Sequence, residues 1–488
     1  MANRYDNASV VCAHGPLSCS LTKRIFLVAV IKITYPLLYC WPVRQRTGYP
    51  HWRRILVAAA VATALLAVGG WFAYQHLQPS EIVGNTTEEF IAAAPTTTAT
   101  TTTVAPVAMS WPMYGFDPGR SHWNPSLHHR PPYTQEWLFH ALSLVEFPPV
   151  VADGRVFVAN LKGHFFAIDA ATGKRLWHKP TRHCSAASPA VVDGIVYAAF
   201  QQTYPCPKEE LDGEGFVIAW DAATGEEIWT VKTPSIETSP LVVDGSVYVA
   251  DWAGTVFAFD AKTGALQWET KTDSQITSSP TYADATQTGS TPAVVIGTNA
   301  GSVYAFDAKT GAVRWRAQSI DRLGYGREYF YATPTVAYGR VYIGNTDGWM
   351  YAFGAKTGKL MWAKAAGTYV YTAAVAAENV IYIGTYDGFI IAYDAGTGDE
   401  LWRVSVPGVV HGAPTLMDGL LYFSTCGGCG QNGIRYGKPG DKGTYALDIV
   451  TRKIVWTFPD GQYSPIVADN ERVYLAGKGL IYGLRPAP

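Results

Sequence analysis

The sequence predicts an all-β fold, an eight-bladed β-propeller of four-stranded antiparallel blades, and two repeated patterns lead to this prediction. The first pattern is Asp-x-x-Thr-Gly-x-x-x-Trp, which occurs at 169–177, 221–229, 260–268, 307–315 and 394–402. Two altered copies carry Gly354 in place of the Asp and Arg452 in place of the Gly. Self-similarity with a period of about 40–50 residues is typical of solenoids, propellers and arrays.

Among these repeat architectures, the pattern of predicted strands favours the propeller. Runs that precede the motif alternate and are rich in β-branched and aromatic residues, for example 247–250 and 255–259, so they indicate strands. The Thr-Gly step is turn chemistry, because Gly accepts positive φ and the Asp carboxylate can accept hydrogen bonds from the turn.

A blade-opening position, usually a proline after Ser or Thr, gives the count of eight. The openings are Pro149, Pro189, Pro240, Pro280, Pro334, Ala374, Pro414 and Pro465. Only seven motif tryptophans follow them, and the last unit, at 480–484, has no outer strand. We therefore expect the strand around Trp137 to complete the eighth blade and close the ring, which leaves only short, protected sheet edges.

The motif tryptophans are interpreted as structural wedges that each lie between one blade and the next, where an aromatic side chain buries a large area. The eight residues are Trp137, Trp177, Trp229, Trp268, Trp315, Trp362, Trp402 and Trp456.

These motifs resemble those of the quinoprotein propellers with pyrroloquinoline-quinone-type repeats. That family includes quinone-dependent dehydrogenases and non-catalytic relatives such as the B component of the outer-membrane barrel assembly machinery. The entry 111–115, with Gly119, Arg120, Asn124 and Pro125, is similar to that of such propellers. The resemblance spans about residues 110–488 and implies the fold; because fold does not dictate function, we favour the non-catalytic branch as an interpretation.

The chain is expected to have four parts: an N-terminal cytoplasmic segment (1–54), a transmembrane anchor (55–77), a Thr/Pro/Ala-rich linker (78–108) and the propeller (109–488). The anchor segment has no charge and is long enough to span a bilayer. Arginines precede it and glutamates follow it, so the positive-inside rule predicts a single-pass protein of the cell membrane with an extracytoplasmic propeller. A cleaved signal peptide is the rival interpretation.

Two further expectations concern the flanks of the anchor. The apolar run 25–41 is either a second span or the product of a start codon assigned too early. The linker, with its Thr-rich stretch at 95–107, is expected to be a flexible stalk. The formal net charge of −1 gives no general electrostatic reason to expect nucleic acid as a partner.

Four cysteines lie beyond the anchor, in a compartment where disulfides persist. Cys184 and Cys206 are predicted to pair, because they emerge on the same face of blade 2. Cys426 and Cys429 are predicted to form a structural disulfide that closes a loop; a zinc or redox site and free thiols are the alternatives.

A candidate ligand pocket is predicted at the mouth of the central channel. The residues three positions before each blade opening are expected to point toward the axis, while those four positions before it point into the blades. Three long insertions, at 201–213, 319–328 and 426–443, are expected to decorate the same face. The polar members of the axial set are Glu146, Glu237, Tyr331, Tyr371, His411 and Gln462.

Three functions remain open from the sequence. The favoured one is a membrane-anchored scaffold that binds a protein or a polar small ligand, with no catalytic residues, no metal and no cofactor expected. The second is an alcohol- or sugar-oxidising dehydrogenase, for which the resemblance implies pyrroloquinoline quinone and calcium; the adjacent Cys-Cys pair typical of those enzymes is absent from the sequence. The third is an extracytoplasmic sensor.

Overall fold

The computed structural model describes residues 51–77, 81–93, 110–206, 213–321, 327–426, 442–461, 463 and 466–487; within 51–77 the side chains are described at 56 and 58–70. The chain divides into two compact units, Met1–Gln78 and Pro79–Pro488.

The described part of the first unit is one helix, α1 (His51–Leu77), which begins four residues before the predicted anchor. Its described large apolar side chains are exposed, Leu66 by 76% and Leu65 by 67%. Within the part of the chain that the structure describes, no helix has the length and apolarity needed to cross a membrane.

The second unit is an eight-bladed propeller, which confirms the predicted fold. It begins with β1 (Glu81–Val83) and β2 (Tyr133–His140). Blade 1 consists of β3 (Val150–Ala152), β4 (Arg155–Ala159), β5 (His164–Asp169) and β6 (Arg175–Pro180), and blade 2 of β7 (Ala190–Val192), β8 (Ile195–Phe200), β9 (Glu214–Asp221) and β10 (Glu227–Pro234). Blade 3 consists of β11 (Leu241–Val243), β12 (Ser246–Ala250), β13 (Thr255–Asp260) and β14 (Leu266–Lys271). Blade 4 consists of β15 (Thr281–Ala283), β16 (Ala293–Gly297), β17 (Ser302–Asp307) and β18 (Val313–Gln318), with the short helix α2 (Ala285–Thr288) between its first two strands.

Blades 5 to 8 repeat the meander. Blade 5 consists of β19 (Thr335–Ala337), β20 (Arg340–Gly344), β21 (Trp349–Gly354) and β22 (Leu360–Ala365), and blade 6 of β23 (Val375–Ala377), β24 (Val380–Gly384), β25 (Phe389–Asp394) and β26 (Glu400–Ser405). Blade 7 consists of β27 (Val409–Val410), β28 (Thr415–Met417), β29 (Leu420–Cys426), β30 (Gly443–Asp448) and β31 (Ile454–Phe458). Blade 8 contains β32 (Val467–Ala468), β33 (Val473–Ala476) and β34 (Leu480–Pro486).

The ring closes as predicted. Strand β2 pairs antiparallel with β34, with Leu138 opposite Tyr482 and Trp137 opposite Gly483, so the two ends of the propeller share blade 8. The core lies between consecutive blades: Trp137, β3–β5 side chains and β33–β34 side chains form one buried cluster across the closure.

Six of the eight motif tryptophans dock their blade on the next one through a hydrogen bond. In six blades the indole Nε1 donates to the backbone oxygen of the motif alanine in the following blade, at 2.9–3.2 Å. The indole ring also lies on the motif glycine, which has a φ near +70°; at Gly264, a Cβ would come within 2.8 Å of Trp229. The glycine is therefore needed both for the turn and for the close approach of the ring.

The motif aspartate holds the turn. Asp169 accepts hydrogen bonds from the backbone N–H (2.8 Å) and the hydroxyl (2.7 Å) of Thr172, and the repeats at Asp221, Asp260, Asp307 and Asp394 do the same. Because these bonds favour the ionised carboxylate, the pKa of Asp169 is lowered, chiefly by the Thr172 hydroxyl.

The prediction of a flexible stalk is wrong for residues 81–93, because these residues fold onto blades 5 and 6. Strand β1 extends blade 5 by pairing with β22, with Glu81 opposite Lys364. The buried Arg340 guanidinium lies 5.0 Å from the centroid of the Phe90 ring and donates a hydrogen bond to the backbone oxygen of Glu88 at 3.1 Å. The backbone hydrogen bonds of β1 and the burial of Ile82 and Phe90 outweigh the tendency of a polar linker to stay unstructured. The Thr-rich stretch at 95–107 lies outside the described residues.

Candidate functional site at the mouth of the channel

One end of the channel is closed by residues 111–123, a segment we call the plug. Backbone hydrogen bonds of 2.7–3.0 Å join the plug to the inner strands of six blades. These bonds involve Val151, Val191, Tyr282, Val336, Ala376 and Leu416. The sequence analysis used this segment only as a marker of resemblance; in the structure it is the floor of the channel.

Arg120 joins the plug to a seventh blade. Its guanidinium is fully buried and donates to the backbone oxygens of Pro240 at 3.1 Å, Pro280 at 3.2 Å and Tyr114. Burial lowers its pKa from 12.5 to about 10, so it is still a cation at neutral pH. Backbone oxygens thus stabilise this buried cation together with the neighbouring Asp117 carboxylate.

Two carboxylates lie toward the opposite end of the channel. Glu237 is 4% exposed and accepts hydrogen bonds from the Trp252 indole at 2.7 Å and from the Tyr331 hydroxyl at 3.3 Å. Both of these hydrogen-bond donors are neutral side chains. Glu146, which is half-buried, acts on the same tyrosine.

Aromatic rings continue the wall from Tyr331. The ring centroid of Tyr371 is 4.8 Å from that of Tyr331, 4.7 Å from that of Tyr386 and 5.7 Å from that of His411. His411 also hydrogen-bonds through Nδ1 to the Tyr386 hydroxyl. Tyr369 and Tyr463 extend this wall on either side, at centroid distances of 5.6 Å from Tyr371 and 5.2 Å from His411. We call these side chains, with Glu146, Glu237 and Trp252, the acidic aromatic mouth.

The electrostatic field in the mouth is negative. The pKa of the Tyr331 hydroxyl is raised well above 10, first by the charge of Glu237, then by burial and by Glu146. Burial, followed by neighbouring tyrosines and Glu146, raises the pKa of Tyr386 as well. Both phenols are therefore neutral at physiological pH and serve as donors or as aromatic faces, not as bases.

Five of the six predicted pocket residues lie in the mouth: Glu146, Glu237, Tyr331, Tyr371 and His411. Gln462 lies outside the described residues. The side chains predicted to point into the blades do so, since Val145, Ile236 and Phe330 are at most 2% exposed.

Sequence reasoning missed four aromatic members of the mouth. Tyr369 precedes Tyr371 by two residues, so strand alternation places it on the same face. Trp252 and Tyr386 occupy the same position, two residues before the glycine of the second-to-third-strand hairpin in blades 3 and 6. Comparing that position between repeats would have found both residues, whereas Tyr463 follows Gln462 directly.

The predicted disulfide between Cys184 and Cys206 is confirmed. A disulfide joins Cys184 to Cys206, with their Cα atoms 6.2 Å apart. Cys426 is disulfide-bonded, and its expected partner Cys429 lies outside the described residues. Parts of all three predicted insertions (207–212, 322–326 and 427–441) are likewise outside them.

The described residues of the mouth do not fit the quinone and its calcium. Calcium takes six to eight oxygen ligands, whereas among the described residues no group of three His, Cys, Asp or Glu side chains could hold a metal ion. The quinone carries three carboxylates, and the charges described in the mouth, Glu146 and Glu237, are also negative. No chemical step through the quinone follows from this arrangement.

A second concave region is lined by residues of blades 7 and 8 and of the connection from blade 8 to blade 1. It is an open cleft of about 670 Å³ lined by Lys442, Lys478, Asp460 and His140 among others. Its carboxylate is bound by the Tyr482 hydroxyl at 2.7 Å. The mouth gathers side chains from more blades than the cleft does, so we place the candidate site at the mouth.

Comparisons with known proteins agree with this architecture. A family model described as "Outer membrane protein assembly factor BamB" matches residues 93–206, 210–371 and 365–487. BamB from Moraxella catarrhalis has a similar structure, with a TM-score of 0.55 and 18% identity, covering 72% of this chain and 100% of that chain. A europium-containing methanol dehydrogenase is also similar, with a TM-score of 0.62 and 14% identity over 77% of this chain and 98% of that chain. At these identities the likeness is one of fold.

One relative is similar in sequence over a short stretch. The quinohemoprotein alcohol dehydrogenase ADH-IIG from Pseudomonas putida is 36% identical over 86 residues, which is 16% of this chain. The match spans only 11% of the length of that enzyme.

Proposed function

Because this chain belongs to the family described as the outer membrane protein assembly factor BamB, we propose that it is a binding propeller without catalysis, whose ligand or partner enters the acidic aromatic mouth. The observation that carries this proposal is the arrangement of the channel: the plug seals one end by contacts with seven blades, and the other end presents Tyr331, Tyr371 and His411, which are partly exposed. A blind channel with a polar, aromatic entrance is a receptor for a ligand rather than a passage.

The chemistry of the mouth supports binding over turnover. Its carboxylate Glu237 is engaged by Trp252 and Tyr331, and its phenols are held neutral. A general base must reach a substrate proton with a suitable pKa, and the neutral phenols of Tyr331 and Tyr386 do not supply one.

Attachment to a membrane is part of the proposal, with the propeller outside the cytoplasm. The exposed apolar side chains of α1, together with the basic residues before it and the acidic residues after it, support this placement. The disulfide between Cys184 and Cys206 supports an oxidising compartment. Fractionation of cells, followed by protease treatment of intact and opened membranes, tests it; a protein recovered in the soluble cytoplasmic fraction would contradict it.

The experiment that tests the binding function compares two photo-crosslinking positions in the full-length protein. A photoreactive amino acid replaces Tyr369 in the mouth, or Val450, which is 82% exposed on an outer turn of blade 7. We expect specific adducts in native membranes from position 369 and not from position 450. The absence of adducts from position 369, or equal adducts from both positions, would contradict the proposal.

Quinone-dependent oxidation is the second candidate, favoured by the sequence match to the alcohol dehydrogenase ADH-IIG. Full-length protein is mixed with calcium or a lanthanide and pyrroloquinoline quinone, and dye-linked oxidation of alcohols and aldoses is followed. We expect no turnover. Turnover that is lost in Glu237→Gln would establish the dehydrogenase instead.

A further inference from the structure

We infer that the outer edge of blade 7, strand β31 (Ile454–Phe458), docks an extended, uncharged β-strand of a partner protein. This surface is not part of the mouth, and the inference does not rest on the proposed binding function. Three observations lead to it: the composition of β31, the exposure of its apolar side chains, and the strand that already covers the same edge of blade 5.

The composition of β31 sets it apart from the other outer strands. An outer strand presents an edge to which another chain can add, and natural proteins protect such edges with charged side chains. Seven of the eight strands that carry a motif tryptophan, β2, β6, β10, β14, β18, β22 and β26, contain at least one Lys, Arg or Glu. Strand β31 reads Ile-Val-Trp-Thr-Phe and contains none. Within the described part of the chain, no further strand pairs with its outer edge.

The apolar side chains at the start of β31 are exposed. Ile454 is 37% exposed and Val455 is 50% exposed. Leu401, which holds the place of Val455 directly before the motif tryptophan of blade 6, is 47% exposed. Its strand, however, carries Glu400 and Arg403, which form an ion pair. Only β31 therefore combines exposed apolar side chains with an edge that bears no charge.

Blade 5 shows what kind of segment fits such an edge. Its outer strand β22 has Lys364 as its only charged residue, and β1 pairs antiparallel with it. Met361, which holds the place of Val455 in this covered strand, is fully buried. A short extended segment therefore suits the outer edge of a blade: its backbone supplies the hydrogen bonds, and its side chains supply the specificity.

The pairing in blade 5 also indicates the composition of the strand that fits β31. Glu81 of β1 lies opposite Lys364 and forms an ion pair with it. In blade 7 the corresponding position, two residues after the motif tryptophan, is Phe458. A carboxylate opposite this ring would have no counter-ion there, whereas an apolar side chain packs against it. We therefore expect the partner strand to be apolar where β1 is acidic.

The docking surface is expected to end before the turn that carries Val450. In blade 5 the covering segment continues past β1, and Glu89 accepts a hydrogen bond from the Lys356 backbone N–H of the motif turn at 2.8 Å. Blade 7 keeps its own motif aspartate: Asp448 accepts hydrogen bonds from the backbone N–H groups of Val450 at 3.0 Å and Thr451 at 2.7 Å. This turn has no place for a second carboxylate, so position 450 lies outside the docking surface.

Photo-crosslinking of the full-length protein to a defined peptide tests the inference. The peptide contains residues 81–85 with Glu81→Leu and a lysine at each end for solubility, and the same peptide with the original glutamate is the comparison. A photoreactive amino acid replaces Val455, or Leu401 as the matched control. We expect the yield of adducts with the leucine peptide from position 455 to exceed, by about fivefold or more, both the yield from position 401 and the yield with the glutamate peptide.

A charge placed on β31 is expected to block docking. Thr457→Arg puts an arginine directly after the motif tryptophan, where blades 4 and 6 have Arg316 and Arg403, so the fold accommodates it. Thr230→Arg is the matched control, because Thr230 is exposed at the same position of blade 2. We expect Thr457→Arg to lower the adduct yield from position 455 by about fivefold or more, and Thr230→Arg to leave it unchanged. Should Thr457→Arg fail to fold, Thr457→Lys replaces it.

Three outcomes would overturn the inference: equal adducts from positions 455 and 401, no preference for the leucine peptide, or no effect of the charge at position 457. Adducts that join two copies of this chain through position 455 would assign the edge to a second copy and overturn it as well. Adducts from position 369 in the mouth without adducts from position 455 would refute this inference alone, and the reverse result would refute the proposed function alone.

Discussion

The carboxylate of Glu89 occupies the place of the aspartate that the repeat lacks at Gly354. It accepts hydrogen bonds from the Lys356 backbone N–H at 2.8 Å and from the Thr357 hydroxyl. Asp260 accepts the equivalent bonds inside its own repeat, from the Lys262 backbone N–H at 3.1 Å and the Thr263 hydroxyl at 2.8 Å. A Cβ on Gly354 would lie 2.4 Å from Glu89 Oε2, so the glycine leaves the space that the distant glutamate fills.

Removal of this carboxylate is expected to destabilise the propeller. Glu89→Ala leaves the blade 5 turn without its acceptor, and we expect a loss of about 1.5–3 kcal/mol, the range for a charged hydrogen-bond partner. Thermal unfolding of the full-length protein measures it. Glu88→Ala is the matched control, because Glu88 is exposed and its carboxylate contacts only Lys359 among the contacts described, at 3.4 Å.

Restoration of the motif aspartate is expected to have opposite effects in two backgrounds. In the wild-type protein, Gly354→Asp places a second carboxylate against Glu89 and lowers the unfolding temperature. In the Glu89→Ala protein the same change supplies the missing acceptor and raises it. A double-mutant cycle measures the coupling, and an equal effect of Gly354→Asp in both backgrounds would show that Glu89 does not replace the aspartate.

The docking role of the motif glycine is tested by two glycines of blade 3. Gly264 and Gly245 have φ values of +72° and +74°, but a Cβ meets Trp229 at 2.8 Å only at Gly264, and nothing within 4 Å at Gly245. Both changes to Ala cost about 1 kcal/mol or more for the left-handed backbone. We expect Gly264→Ala to cost a further 1–3 kcal/mol or so for overpacking, seen as a larger fall in unfolding temperature. Equal losses would mean that the indole contact is not needed.

The plug is expected to make stability depend on pH through His122. Burial, and then the charge of Arg120, lower the pKa of His122 from 6.5 to about 3. The unfolded chain therefore binds a proton that the folded chain does not bind, and stability falls as the pH drops from 6.5 toward about 3, by about 1.4 kcal/mol per pH unit for one proton.

His122→Phe keeps the ring that packs edge-on against Tyr114 and removes the titrating group. We expect this variant to lose that part of the slope of unfolding free energy against pH. An unchanged slope between pH 6.5 and about 4 would contradict a neutral, buried His122. His128→Phe is the control, because that side chain is 70% exposed.

The buried Arg120 is expected to be essential for closing the channel floor. Arg120→Met leaves backbone oxygens of blades 3 and 4 without their donor, and we expect a loss of at least about 3 kcal/mol. Arg120→Lys keeps the positive charge but not the planar set of N–H donors. We therefore expect it to lose less stability than Arg120→Met and to be less stable than the wild-type protein. The exposed Arg175→Met serves as the control; equal unfolding temperatures for the Met variants at 120 and 175 would contradict this role.

The sequence by itself determined the number of blades, the closure through Trp137 and the inward direction of Glu237, Tyr331 and Tyr371. These features follow from patterns that repeat within a blade, where alternation and turn chemistry act over a few residues. The same patterns predicted the docking tryptophans, since every copy of the motif except the one with Arg452 carries both the Trp and the glycine on which the Trp of the preceding blade rests.

Only the tertiary structure decided that Glu89 fills the place of the motif aspartate that is missing at Gly354, and that the plug crosses the channel. Each of these contacts joins segments that are distant in sequence and does not recur from blade to blade, so the repeat pattern does not predict it. Their energy comes from hydrogen bonds and burial that exist only after the ring has formed.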